Sequence, residues 1–269
     1  MEIMGRAMMK PHGMILVTGP TGSGKTTTLY TILALLNKEG VNISTVEDPV
    51  ENRIRRVNQT QVNPRAGYTF ANGLRSLLRQ DPDIIMVGEI RDEETAKIAV
   101  NAAMTGHLVL STLHTNDAPG AIPRMLDLGV EPFLLASTLE LIVAQRLVRK
   151  ICPVCRVAAM PVRDWAGELK RIVANEVELN QAVQLLPSEY FQGQGGVECH
   201  HSGYKGRMGL FEIMAIDDEV RELVTSRVPA IKIKNRALEK GMRTILIDGL
   251  RKVKEGITTV EEVLRVSLS

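Results

Sequence analysis

Eight consecutive residues, Gly19-Pro20-Thr21-Gly22-Ser23-Gly24-Lys25-Thr26, have the types and spacing needed to cradle a phosphate chain. Glycines at 19, 22 and 24 permit backbone angles and close approach that a Cβ would block, so successive N–H groups can turn inward around phosphate oxygens. Lys25 brings a point charge to the β- and γ-phosphates and Thr26 a hydroxyl for Mg²⁺, while Thr27 continues into a helix whose positive end faces the anion. The apolar run Met14-Ile15-Leu16-Val17 precedes the loop and Thr27-Thr28-Leu29-Tyr30 follows it. That strand-to-helix context separates a nucleotide site from an ordinary glycine-rich turn.

Hydrolysis also needs an acid that handles the metal, a group that orients water and a sensor of the γ-phosphate. Glu89 lies two residues past the run Ile84-Ile85-Met86-Val87, where a carboxylate can hold Mg²⁺ directly or through water. Glu47, Asp48 and Glu51 make a second acidic group, one member of which could orient water, although Glu-Asp-Pro is equally a good turn. His107 and His114 bracket the run Leu108–Leu113, and Ser111, Thr112 and Thr115 place hydroxyls near its end. For both histidines a packing role competes with a catalytic one.

Positioning these groups requires several strands that end on one edge. Residues 14 to about 150 alternate short apolar runs with helical patterns, which predicts an α/β domain with a mainly parallel sheet. Strands are expected at Met14–Thr18, Ile43–Val46, Ile84–Val87 and Leu108–Leu113, with an exposed one at Val57–Val62. Helices are expected at Lys25–Asn37, around Phe70–Arg79, at Glu93–Met104, around Ala118–Leu128 and at Pro132–Val148. In such sheets ligands sit past the carboxyl ends of the strands. Residues 151–206 carry cysteines and weak periodicity, and 207–269 read as a strand followed by helices, giving three consecutive regions with the first at 1–150.

The 269 residues are 44% apolar and 24% charged, an ordinary globular balance, and only 3% aromatic, so the core is expected to be aliphatic. A net charge of +2 and no aromatic-interleaved basic patch argue against a nucleic-acid partner. No stretch has the look of a secretory signal or reaches membrane-spanning length, which predicts a cytoplasmic protein.

Together, the segments 19–30, Thr45-Val46-Glu47-Asp48-Pro49-Val50-Glu51, Leu74–Asp83, Gly88-Glu89-Ile90-Arg91-Asp92 and Thr105–Thr115 resemble the motifs of the type II secretion and type IV pilus assembly ATPases, the GspE/PilB group. The likeness is dense over about 13–156 and resumes at Ser202–Arg207. It implies a RecA-like P-loop core, followed by a small metal-type insertion and a helical C-terminal region. In that family the last acid of the acidic box, matching Glu51, is taken as the general base. Glu89 matches the Walker B acid, and His107 and His114 match the histidine box.

The resemblance further implies a homohexamer hydrolysing Mg·ATP between subunits. Arginines complete each site in trans, and Arg75, Arg79 and Arg91 are candidates, with surface ion pairing as the competing reading. The implied partners are an inner-membrane platform protein and pilin-like subunits.

Cys152 and Cys155 have the C-x₂-C spacing of half a zinc site, and Cys199 follows later beside His200 and His201. The family carries four thiolates, and here Gly196 stands where the third cysteine belongs. Zn²⁺ held by Cys152, Cys155, Cys199 and His200 or His201 is one expectation, and three reduced thiols are the other. Retraction-type pilus ATPases look similar through the P-loop but lack this region, so Cys152 and Cys155 favour the assembly type. About thirteen residues precede the first strand, whereas the family carries a further amino-terminal domain; a partial sequence or a minimal relative is expected, with ring formation by this chain alone in doubt.

Overall fold

The computed structural model describes residues 2–161 and 163–267. In chain order the elements are α1 (Glu2–Met8), β1 (Gly13–Thr18), α2 (Lys25–Leu36), β2 (Ile43–Glu47), β3 (Val57–Gln61), α3 (Phe70–Leu77), β4 (Ile84–Val87), α4 (Glu93–Met104), β5 (Leu108–Leu113), α5 (Ala121–Asp127) and α6 (Pro132–Thr138). Then follow β6 (Leu139–Ile151), β7 (Arg156–Ala159), α7 (Trp165–Ile172), α8 (Glu176–Leu185), β8 (Tyr190–Gly193), β9 (Tyr204–Ala215), α9 (Asp218–Thr225), α10 (Ala230–Glu239), α11 (Ile245–Lys254) and α12 (Val260–Ser267).

Seven strands form one sheet in the order β3-β2-β4-β5-β1-β6-β9. The pairs β2–β3, β2–β4, β4–β5, β1–β5 and β1–β6 are all parallel. Every residue of β1, β2, β4 and β5 is buried; β1, β4 and β5 are accordingly rich in apolar residues without alternation, whereas β2, Ile-Ser-Thr-Val-Glu, buries Ser44, Thr45 and Glu47 as well. The edge strand β3 instead carries exposed polar positions and reads Val-Asn-Gln-Thr-Gln.

Helices start where the sequence supplies a cap. The side chain of Thr69 accepts from Asn72 N–H at 3.2 Å to open α3, and that of Asp92 accepts from Thr95 N–H at 2.8 Å to open α4. The core is aliphatic, as composition required: Leu16, Ile32, Leu33, Leu74, Ile85 and Leu110 are fully buried.

The expected helix over Pro132–Val148 is corrected to a short helix, α6, followed directly by the long strand β6. Leu139 has extended backbone angles, and from there the chain pairs with β1 rather than continuing the helix. Val143 and Ala144 lie against Val17 and Thr18, so both faces of this stretch are covered and its apolar residues carry no period that distinguishes strand from helix.

The chain forms two compact units. The first contains residues 1–144 and 213–234, the second 145–212 and 235–269. In the first unit Arg221 of α9 donates to Ala136 O and, at 3.2 Å, to Glu140 Oε1, fastening α9 onto α6. In the second, α8, α11 and α12 pack together, and β7 pairs antiparallel with β8. Glu262 anchors α12 there: its carboxylate, 2% exposed, accepts from Arg149 Nη2 and Arg265 Nη2, each at 2.8 Å. Burial alone would raise this carboxyl, but hydrogen bonds from Arg265 and Arg149 outweigh it and hold the pKa down to about 2.

Candidate nucleotide site and thiol cluster

Parallel register decides which sequence motifs meet. Thr18 pairs with Leu113, Val87 with Ser111, and Val46 with Val87, so the residues that follow β1, β2, β4 and β5 all emerge on one edge. The phosphate loop, the acidic turn from Glu47, Gly88-Glu89 and His114 are therefore neighbours in the fold because each stands just past a strand.

The loop has the backbone its glycines allow. Gly22 and Gly24 take φ of 78° and 88°, left-handed values that favour residues without a Cβ. Gly24 is the residue before α2, and among the described residues no side chain caps that helix. Its first turn carries no acidic residue, which leaves the helix end suited to an anion. Lys25 lies along the loop, with Nζ 2.8 Å from Gly19 O and 3.1 Å from Pro20 O. Thr26 lies in the first turn of α2. These features fit a nucleotide triphosphate, with Thr26 and Glu89 as the residues that would hold Mg²⁺.

Glu89 is largely buried, and its carboxylate is already engaged. Arg91 Nη2 is 2.5 Å from Oε1, and His114 Nε2 is 3.4 Å from Oε2. Hydrogen bonds from Thr112 Oγ1 to Gly88 O at 2.8 Å and from Ile90 N–H to Thr112 O at 3.1 Å pin the turn that carries it. His114 thus lies against Glu89.

His107 does not. It precedes Leu108, whose partners are Gly13 and Ile84 at the starts of their strands, so it occupies the opposite edge of the sheet. Seven steps along the chain separate the two histidines, roughly 20 Å. The His107 ring lies 3.0 Å from Ala102 O at the end of α4.

Glu51 stands exposed on the turn after β2. The acid in that turn that is buried is Glu47, 1% exposed, which accepts from Tyr30 OH, Thr45 Oγ1 and Gln59 Nε2. Tyr30 and Gln59 were not singled out from the sequence; the signal was the four-residue spacing from Thr26 to Tyr30 on one face of α2. Of the arginines, Arg75 pairs with Glu94 at 2.6 Å and Arg91 with Glu89, so each makes an ion pair within this chain, and Arg79 is exposed just past α3.

In the second unit Cys152, Cys155 and Cys199 have sulfurs all within 4.8 Å of one another. Cys155 Sγ and Cys199 Sγ are 3.8 Å apart, which matches the separation of about 3.8 Å expected for two thiolates each about 2.3 Å from a tetrahedral Zn²⁺. The three thiols therefore fit a zinc ion. Burial raises the Cys155 thiol; burial also opposes ionisation of Cys199, but hydrogen bonds with the backbone at Gly203 and Gly196 and with the other two thiols hold it below the ordinary value.

The expected fourth ligand does not stand beside the three thiols. His200 and His201 are both exposed, with left-handed φ of 49° and 59°, and neither belongs to the group of potential ligands found among the described residues. The chain makes a tight turn there, with His201 N–H donating to Gly196 O at 2.9 Å and Ser202 N–H to Cys199 O at 3.0 Å.

A protein-family profile described as "Type II/IV secretion system protein" matches residues 1–265. "Type II secretion system protein E" of Pseudomonas aeruginosa is 50% identical over 266 residues, covering 99% of this chain and 51% of that protein. "Type IV pilus assembly ATPase PilB" of Thermus thermophilus is 50% identical over 255 residues, covering 95% of this chain and 28% of that protein. The chain thus spans about half or less of the length of these relatives.

Among solved structures, the pilus retraction motor PilT with bound ADP aligns with a TM-score of 0.71 at 29% identity, covering 98% of this chain and 64% of that one. The DotB ATPase of Legionella pneumophila aligns with a TM-score of 0.69 at 23% identity, covering 100% of this chain and 64% of that one, a likeness of fold. The parallel sheet, the phosphate loop at its edge and these matches agree: the core is RecA-like, and the chain belongs to the type II/IV secretion system protein family of secretion and pilus assembly ATPases.

Proposed function

We propose that this chain is the motor part of an ATPase that hydrolyses Mg·ATP to drive assembly of type IV pilus or type II secretion pseudopilus subunits. The observation that carries the reading is the convergence of the phosphate loop, the Glu51 turn, Glu89 and His114 on the carboxyl edge of one parallel sheet. Lys25 and the loop N–H groups bind and orient the phosphates. Glu51 orients a water molecule and accepts its proton for in-line attack on the γ-phosphate. Mg²⁺, when bound beside Thr26 and Glu89, would neutralise charge on the β- and γ-phosphates. His114 and Arg91 hold the Glu89 carboxylate in place.

On this reading the working form is a homohexamer that pushes on a membrane platform protein, with arginines from a neighbouring subunit completing each site. Arg79, exposed just past α3, is the first candidate for that trans role, followed by Arg75 and Arg91. The three-thiol cluster favours assembly over retraction within the family, and its Zn²⁺ would be a structural ion. Among the described residues no helix is long and apolar enough to cross a membrane.

Glu51→Gln tests the chemistry. Phosphate release should fall about 10²–10⁴-fold, the usual contribution of a general base, while nucleotide affinity stays close to wild type. Equal release by both proteins would favour instead a nucleotide-gated scaffold that does not hydrolyse.

A further inference from the structure

Glu51 is exposed on a turn, and an exposed side chain on a turn has no intrinsic reason to hold a catalytic position. Its main chain, however, is tethered. Glu51 N–H donates to the phenol oxygen of Tyr30 at 3.2 Å, and the same phenol donates its proton to the buried Glu47 carboxylate. A second prop stands beside it. Gln59 Nε2 donates to Asn52 O at 2.9 Å and to Glu47 Oε1 at 3.1 Å, while Gln59 Oε1 accepts from Ile54 N–H at 2.7 Å.

Tyr30, Thr45 and Gln59 all donate to Glu47, so this carboxylate is the hub on which the 48–54 turn rests. Burial, followed by the hydrogen bond to Glu47, raises the Tyr30 phenol above the ordinary tyrosine value. Its proton therefore stays on the phenol, directed at Glu47, which leaves a lone pair for Glu51 N–H. Tyr30 also sits four residues after Thr26, on the same face of α2.

We propose that Tyr30 is a positioning residue that couples the nucleotide-holding helix α2 to the water-orienting Glu51, through its Glu47-fixed phenol. This rests on the assignment of Glu51 as general base. Movement of α2 around a bound nucleotide is passed through one side chain to the backbone of the base. The Tyr30 hydroxyl is committed to Glu47 and to Glu51 N–H rather than to the phosphate loop, so its effect must appear in turnover rather than in binding.

The test is Tyr30→Phe in the full chain, which keeps the ring and removes the two hydrogen bonds. The turnover number should fall about 10–100-fold, the range for a catalytic group displaced by an ångström, with KM for ATP and the affinity for a fluorescent nucleotide analogue unchanged. Amide exchange at Glu51 should quicken, and Tyr30→Phe should cause no further loss in a Glu51→Gln background.

A loss of equal size in both backgrounds, or weakened nucleotide binding with normal turnover, would overturn the role. Wild-type turnover in Tyr30→Phe beside a large loss in Glu51→Gln defeats the tether alone. Full activity in Glu51→Gln defeats the base assignment and the tether with it. Should Tyr30→Phe melt early, Gln59→Met removes the other prop and is expected to lower turnover in the same way, with the same dependence on Glu51; normal turnover there overturns the hub.

Discussion

The nucleotide edge and the thiol cluster both gather residues far apart in sequence, but they do so by different physical means. At the nucleotide edge the groups stand just past parallel strands, and strand register alone brings Gly19, Glu47, Glu89 and His114 together. In the cluster the groups stand on turns: Cys152 and Cys155 between β6 and β7, and Cys199 in a short turn before β9. Backbone hydrogen bonding holds the first site before any ligand arrives. The second rests on loops, where a metal that bound only the folded arrangement would add its binding free energy to stability. A ligand should therefore add chemistry at the first site and stability at the second.

Beyond the loss expected of Glu51→Gln, the largest expected effect is again at the first site. Lys25→Ala should lower phosphate release about 10²–10³-fold and weaken nucleotide binding, while leaving the far-ultraviolet circular dichroism and the melting temperature of the ligand-free protein near wild type. Collapse of the fold in that variant would show that the loop is not preorganised by the sheet.

Next comes the Glu262 network of the second unit. Its carboxyl is held at about 2 against an ordinary 4.5, so its contribution is fully present above the unfolded value and is lost as pH falls from about 4.5 toward 2. The shift corresponds to about 3 kcal/mol. Urea titrations of wild type should lose roughly that much between pH 5 and pH 2, and Glu262→Gln should flatten the loss; parallel curves would remove Glu262 as the cause.

Metal removal is expected to be of similar but slightly smaller size. If Zn²⁺ is present at about a hundred times its dissociation constant, chelation should destabilise the protein by about 2.7 kcal/mol while nucleotide affinity is unchanged. Purified protein that contains no metal, and whose melting a chelator does not alter, would leave three reduced thiols as the correct description.

The smallest effects contrast the two ends of β5. His114→Ala removes a partner of Glu89 and should reduce turnover about 10–100-fold, the range for residues that orient a metal-handling group. His107→Ala should leave turnover within about threefold, since its ring lies against the end of α4 on the opposite edge of the sheet. Equal losses would mean that His107 reaches a site not formed by this chain alone.

Legibility in the sequence followed the same division. The strand β2 shows only Ile43 and Val46 among buried polar residues and is marked chiefly by the Glu-Asp-Pro turn at its end. The strands β1, β4 and β5 are readable because burial on both faces makes them apolar-rich runs bounded by turn residues. That same property hid β6, where Leu139-Glu140-Leu141-Ile142-Val143-Ala144 follows a helix without a breaker and only pairing with β1 decides its conformation.

Residues that act through contacts between elements were least visible. Tyr30 looks like an ordinary helix residue until Glu47 is seen beneath it, and His200, next to Cys199 in sequence, stands exposed outside the thiol group. Around Cys199, position in a turn rather than in a strand left its partners undetermined by spacing.

The interleaving of the two units has a consequence for how the protein is made. The first unit is not contiguous: α9, which Arg221 fastens to Ala136 and Glu140, is encoded after all of 145–212. On a ribosome, the strands bearing the phosphate loop and Glu89 emerge early but wait, with the surface of α6 uncovered, until the whole cysteine-bearing stretch has also left the exit tunnel. Of the two units, the first is thus begun before the second and completed only after residues 145–212, and a nascent chain halted before residue 213 would carry the phosphate loop, Glu51, Glu89 and His114 without the helix that packs on α6.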